Sequence, residues 1–320
     1  MTIVLTALQY LGYILIFPGF LFCFLAGLLL CGIDRKIVAR MQKRVGPPIL
    51  QPFYDFFKLC GKEVIIPDAA SKTTFLIAPL VGLAALVVMQ LIIPIHGFAA
   101  FSGMADIIVI LYLLLIPAMA SMLGGAASGS PYAGVGLSRE MVTVISCELP
   151  LVLVLLAVGK AVGGDKVTFS FTQIAQYQIA NGCLITKASM IPAAVAMLLI
   201  IPGETGNHPF DTAEAETEIC EGLLAEYSGA PLAVYKLSHG IKMLTLTSLF
   251  VALFLGGIGT GILALDALIM FLLCAVLTIV SISFVHAITA RLKIEQVFKY
   301  YWTIVTGFAL VSVILAWYGL

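Results

Sequence analysis

Charge is scarce in this sequence. Asp, Glu, Lys and Arg make up only 11% of 320 residues, 61% are hydrophobic, and mean hydropathy is +1.11. Those values exclude an ordinary soluble domain and make the bilayer the solvent. Seventeen acidic residues balance seventeen basic ones, so nothing in the net charge points to nucleic acid, and no nucleic-acid partner is expected. Histidine occurs four times, and the seven cysteines (Cys23, Cys31, Cys60, Cys147, Cys183, Cys220, Cys274) contain no C-x-x-C pair and no Cys/His cluster. No metal or cofactor site is therefore expected in this chain. The first 33 residues carry no charge and lack a basic leader, which reads as a retained first span rather than a signal peptide.

What is present is a series of apolar runs. Stretches at 8–33, 73–95, 105–126, 138–160, 187–202, 231–256, 263–288 and 298–319 are long enough to cross about 30 Å of hydrocarbon at roughly 1.5 Å per residue. The fold class expected is an all-α, eight-span membrane protein forming one polytopic domain over 1–320. Alternate threading puts segments 34–72, 127–137, 203–230 and 289–297 on one face. Arg35, Lys36, Arg40, Lys43, Arg44, Lys58, Lys62 and Lys72 crowd the first of these, and Arg291, Lys293 and Lys299 lie in or beside the last. Only Lys160, Lys166 and Lys187 flank loops of the other face. The positive-inside rule then makes the first face cytoplasmic, with both termini outside the cell membrane.

Within 34–72, "ILQPFYDFFKLCGKEV" places Phe53, Phe56, Phe57, Cys60 and Val64 on one side of a helix and Gln51, Asp55, Lys58 and Lys62 on the other. This amphipathic helix lies at the membrane surface or packs on a partner protein; the apolar face serves either.

The densest charge is in "HPFDTAEAETEICEG", 208–222, where a helix over 210–222 is expected. On it Asp211, Glu214, Glu218 and Glu221 would share a stripe about 80° wide, with Glu216 pointing away. Like charges at that spacing disfavour a helix, so water, basic groups or protons must compensate them. Glu140 and Glu148 lie on the fourth span, and Lys236, His239 and Lys242 occupy one sector of the sixth. Ionisable groups at membrane depth are functional candidates, Glu148 and Lys242 above the others.

Four blocks, "DRKIVARMQKRVGP", "LQPFYDFFKLCGKE", "SREMVTVISCELPL" and "PFDTAEAETEICEGLLAEYSG", together resemble the H-type membrane-anchor subunit of NADH:quinone oxidoreductase (respiratory complex I) and its homologues in membrane-bound hydrogenases. The resemblance covers most of the chain in order. Glu148 matches the family glutamate that ends the fourth-span block, and Asp211, Glu214, Glu216, Glu218 and Glu226 match its acidic loop. Glu140 and Glu221 match only the hydrogenase branch, since the complex I protein usually has small residues there. Asp34 and Pro48 also depart from the complex I pattern. Asn207 stands where complex I typically has arginine, which weakens the case for a quinone-headgroup pocket.

The resemblance implies a non-catalytic membrane subunit of a group 4 nickel–iron hydrogenase, formate hydrogenlyase or sulfane reductase complex. Iron–sulfur clusters and a nickel–iron or equivalent site would belong to partner subunits. The expected partners are membrane lipid, an iron–sulfur small subunit and a hydrogenase-like large subunit on the cytoplasmic side, and antiporter-like membrane subunits. Docking of the redox arm is assigned to Arg35, Lys36, Arg40, Arg44, Glu216 and Glu226. Coupling to proton or sodium movement is assigned to Glu140, Glu148, Asp211, Glu214, Glu218, Glu221, Lys236, His239 and Lys242. Two rivals stand: a complex I protein with a quinone site, and an autonomous proton or cation transporter, for which no internal repeat is visible.

Overall fold

In hydrocarbon every backbone polar group must be satisfied within its own segment, so apolar runs of this length fold as helices and tolerate proline where neighbours cover the break. The computed structural model describes the backbone of residues 2–101, 106–164 and 166–319, with side chains from residue 8 onward except Glu216. The chain runs α1 (Thr2–Leu15), α2 (Phe20–Met41), α3 (Gln51–Cys60), α4 (Lys72–Ile92), α5 (Ile107–Ser128), α6 (Pro131–Gly163), α7 (Phe171–Asn181) and α8 (Ile191–Thr205). A one-turn α9 (Glu216–Ile219) precedes α10 (Gly229–Phe250), α11 (Leu263–Thr278), α12 (Phe284–Ile288), α13 (Ile294–Tyr300) and α14 (Thr306–Trp317). Single π-helical turns, Val251–Leu255, Ile279–Ser283 and Tyr301–Val305, extend α10 and join α11 to α12 and α13 to α14.

Eight helical stretches are long and apolar enough to cross a membrane, so the chain is an all-α, multi-pass membrane protein. Burial ranks them: 89% of the apolar window of α10 is covered by protein, against 28% for α13–α14. Thus α13–α14 is the least covered of the eight, and α10 is the central post. It meets α2 closely, because a Cβ on Gly27 or Gly240 would lie about 3.0–3.1 Å from the other helix's backbone. Small residues allow that approach where no water-driven force presses helices together.

Three features differ from the sequence expectation. The first span is interrupted at 16–19, where Pro18 and Gly19 separate α1 from α2. The fifth reaches Thr205, with Pro202 inside the helix, so Glu204 belongs to the span rather than to a loop. Residues 171–181 form an additional helix, α7, in a loop where the apolar pattern marks no element.

The amphipathic helix forms as α3. Phe53 and Phe56 pack on Cys23, Leu28, Leu86, Leu237 and Ile241, and both rings meet the edge of Phe24. Phe57 and Cys60, expected on the same inward face, are exposed, whereas Asp55 of the polar side pairs with Arg35 of α2 at the rim of the bundle. Pro52 at the first turn is also buried, and Phe53 and Phe56, one turn apart, form the docked edge beside it.

Candidate functional site: two carboxylate-lined cavities

The segment between α8 and α10 is not the expected helix. Only the one-turn α9 and a 3-10 turn at Gly222–Leu224 are helical, and Asp211–Ala215 runs irregularly before them. The reason is tertiary: Phe210 is wedged beside Tyr300 and Tyr301, with ring centroids 5.7 and 5.2 Å away, and Ala213 and Ala215 are buried. Cys220, Glu221 and Gly222 then adopt left-handed backbone conformations in succession, with φ of 51°, 66° and 48°. A Cβ at Gly222 would clash with the Ala213 carbonyl, and one at Gly136 of α6 would come 2.9–3.0 Å from Leu223 N and Ala213 O. The loop is therefore pressed flat on α6, and the four-carboxylate stripe is broken up.

Two of the four acids pair with arginines. The Arg291 guanidinium grips both oxygens of Asp211, with Nε 3.0 Å from Oδ1, and donates from Nη1 to Thr217 Oγ1 at 2.8 Å. His208 Nδ1 lies 3.5 Å from the same carboxylate. Arg139 of α6 pairs with Glu218 and donates to Thr212 O at 3.3 Å. The compensation that these like charges require thus comes from arginines of this chain.

The other two, Glu214 and Glu221, face a cavity of about 400 Å³ enclosed by α2, α3, α4, α5, α6, α8 and α10. One wall is apolar, with Leu28, Phe56, Leu59 and Leu86; the other brings Glu140 and Glu204 together with Lys236, His239 and Lys242. Asp211, Asp34, Arg35, Asp55 and His286 also line it. Burial, then repulsion from Glu140 and Glu221, pushes the Glu214 carboxyl up to about 7, with Lys242 opposing the rise.

Sequence reasoning misses Glu204. It is 6% exposed, and its Oε2 lies 3.9 Å from Lys242 Nζ while its Oε1 has no hydrogen-bond partner among the described residues. A second cavity, about 230 Å³, lies between α5, α6 and α8, lined by Leu111, Tyr112, Val144, Leu151, Glu148 and the same Glu204. Glu148 Oε1 is buried without a partner among the described residues. Glu204 therefore stands in the wall between the two spaces. Its signal in the sequence is a lone acid just past an apolar run, and Pro202 disguises it by reading as the end of the span.

The remaining sequence candidates divide clearly. Lys36 donates to Val45 O at 3.1 Å and Arg35 to Asp55 at 3.1 Å, while Arg40, Arg44 and Glu226 are exposed. The Glu216 side chain lies outside the described residues. Among the described residues no group of three or more His, Cys, Asp or Glu side chains could hold a metal ion.

Fold and cavities together define a polytopic helical membrane protein with ionisable groups gathered at one end of the bundle. The profile of the family described as NADH dehydrogenase matches residues 14–317, and the chain belongs to that family as an H-type member. Hydrogenase-4 component C of Escherichia coli is 37% identical over 228 residues, covering 71% of this chain and 70% of that protein. The H-type subunit of NADH-quinone oxidoreductase from Thermomicrobium roseum is 34% identical over 306 residues, covering 88% and 87%. Among solved structures, a chain of the membrane-bound sulfane sulfur reductase, an archaeal respiratory membrane complex, matches with a TM-score of 0.86 at 28% identity, over 97% of this chain and 98% of that one.

Proposed function

We propose that the chain is the membrane-anchor and energy-coupling subunit of a multisubunit redox-driven proton or sodium pump, of the group 4 hydrogenase or sulfane reductase kind. Its loops dock a cytoplasmic arm that holds the iron–sulfur clusters and the nickel–iron or equivalent site, and its flank meets antiporter-like subunits. The basic cluster around Arg35–Arg44 supports a cytoplasmic position for that face, with both termini outside the cell membrane. The observation that carries the reading is the position of Glu204, shared by the inner cavity and the Glu148 cavity.

Redox events in the arm change charge beside the loop 206–228. Glu214, whose carboxyl is raised above the ordinary range by desolvation and by Glu140 and Glu221, would register such a change, and Glu140 and Lys242 line the same space. The Lys242–Glu204 pair then responds, and Glu148 receives the effect in the second cavity. Electrons remain in partner subunits.

Vesicles carrying the intact complex test this. Glu148→Gln and Lys242→Ala are each expected to lower the ions moved per electron while electron transfer continues; full coupling in both variants overturns the pathway. The apolar wall beneath α3 favours one rival, membership of a quinone-reducing complex I. Quinone reduction by the purified complex selects that rival, and hydrogen evolution or polysulfide reduction selects the hydrogenase or sulfane reductase kind.

A further inference from the structure

Beyond Lys242, α10 carries a series of buried polar contacts that neither cavity uses. Thr245 and Ser248 are fully buried, and Ser248 Oγ donates at 3.0 Å to Oε1 of Gln90 on α4. Gln90 is itself fully buried, and its Nε2 has no partner among the described residues. One turn further along, Gln178 of α7, also fully buried, donates from Nε2 to Ala252 O at 2.8 Å and Leu253 O at 3.0 Å, carbonyls of the π-helical turn. Its Oε1 has no partner among the described residues. His96 Nδ1 lies 3.3 Å from Gly256 O, and the backbone N and Oγ1 of Thr260 donate to Asp266 Oδ1 at 2.6 and 3.0 Å.

Within α10 the positions are in register: at 100° per residue, 242, 245 and 248 fall within about 120° of azimuth. From Lys242 to Leu255 the helix rises about 20 Å, roughly two-thirds of the ~30 Å of hydrocarbon, and the non-helical residues 256–260 carry the series on to Asp266. Each buried amide atom left without a partner costs about 1–3 kcal/mol, a cost that an ordered water removes. One orphan is a donor and the other an acceptor, and both lie against neighbouring turns of one helix face. Amide side chains do not titrate, so they can hold waters without trapping a proton.

We propose that this face of α10 is a hydrated proton path leading from the Lys242–Glu204 end of the inner cavity, past Gln90 and Gln178, to His96 and Asp266 at the opposite face. A proton enters on the water nearest Lys242 and Glu204, each water takes one proton and passes one on, and one leaves at Asp266; nothing is oxidised or reduced. The path rests on the proposed coupling role only for its source of protons.

In proteoliposomes holding the whole complex, Gln90→Met and Gln178→Met, close to isosteric but apolar, are expected to cut protons moved per electron by half or more. An unchanged ratio in both assembled variants, or a complex that moves sodium alone, overturns the path. Electron microscopy of the unaltered complex, at a resolution that shows ordered water, is expected to place one water on Gln90 Nε2 and one on Gln178 Oε1; a dry seam overturns the path whether or not the variants assemble. Loss of coupling in Lys242→Ala with none in the glutamine variants defeats this path and leaves the coupling role standing. The reverse pattern, with Glu148→Gln also fully coupled, defeats the Glu148 route alone.

Discussion

Removing the Arg291 guanidinium tests how the acidic loop is held. The pair with Asp211 is partly buried, with side-chain exposures of 23% and 18%, and it is bidentate, with a further bond to Thr217. Exposed pairs are worth about 0.2–1 kcal/mol, whereas breaking a buried pair costs about 3–5. Two charge-assisted bonds at intermediate burial place Arg291→Ala at about 2–3 kcal/mol. If that energy holds the loop on α6, its open population rises roughly 30- to 150-fold, since about 1.4 kcal/mol is a factor of ten. Hydrogen exchange of amides 211–224 in the intact complex reads this directly. Arg291→Lys keeps the charge without the fork and should fall between parent and alanine variant. Asp211→Asn should produce a similar opening, and the double variant should open little further than either alone. Exchange equal to the parent in Arg291→Ala would refute the view that this arginine clamps the loop.

The raised Glu214 carboxyl predicts a pH effect of definite sign. Because its folded value is about 7, above the ordinary carboxylate range, the folded loop holds a proton that the unfolded chain releases, and stability falls as pH rises from about 4.5 to about 7. Glu214→Gln should match the parent at acid pH and resist protease better above neutrality, by no more than about 1 kcal/mol because the side chain keeps water contact through the cavity. Equal protection of variant and parent above neutrality counts against the shift. Cys220→Gly should strengthen the loop by up to about 1 kcal/mol, since glycine removes the left-handed strain of an exposed residue, whereas Gly222→Ala should weaken it by about 2 kcal/mol or more through collision with Ala213 O. Thermal inactivation of the complex orders the two, and the opposite order defeats the strain argument.

The spans are legible because hydrophobic runs, not tertiary contacts, decide whether a segment crosses a bilayer. The amphipathic helix is legible for a similar reason: Phe53 and Phe56 recur at helical spacing, although the pattern does not show that Asp55 pairs with Arg35. The acidic loop is legible in composition and not in shape. Its acids favour a helix start, yet Phe210 against Tyr301 and Gly222 against Ala213 override that preference, and neither contact leaves a mark in local sequence. Gln90 and Gln178 sit inside apolar or mildly polar runs, and nothing local shows that they meet α10 one turn apart.

The length of α6 has a mechanical consequence. Its 33 residues measure about 50 Å, roughly 20 Å more than the hydrocarbon is thick, and Pro150 interrupts its hydrogen-bond ladder near the middle. The acidic loop leans on the end of this rod, at Gly136 and Arg139, while Glu148 sits just short of the proline. A sideways push of about an ångström at the overhanging end becomes a tilt about Pro150, so the protein has a lever whose pivot is buried inside the bundle and whose working end is the acidic loop.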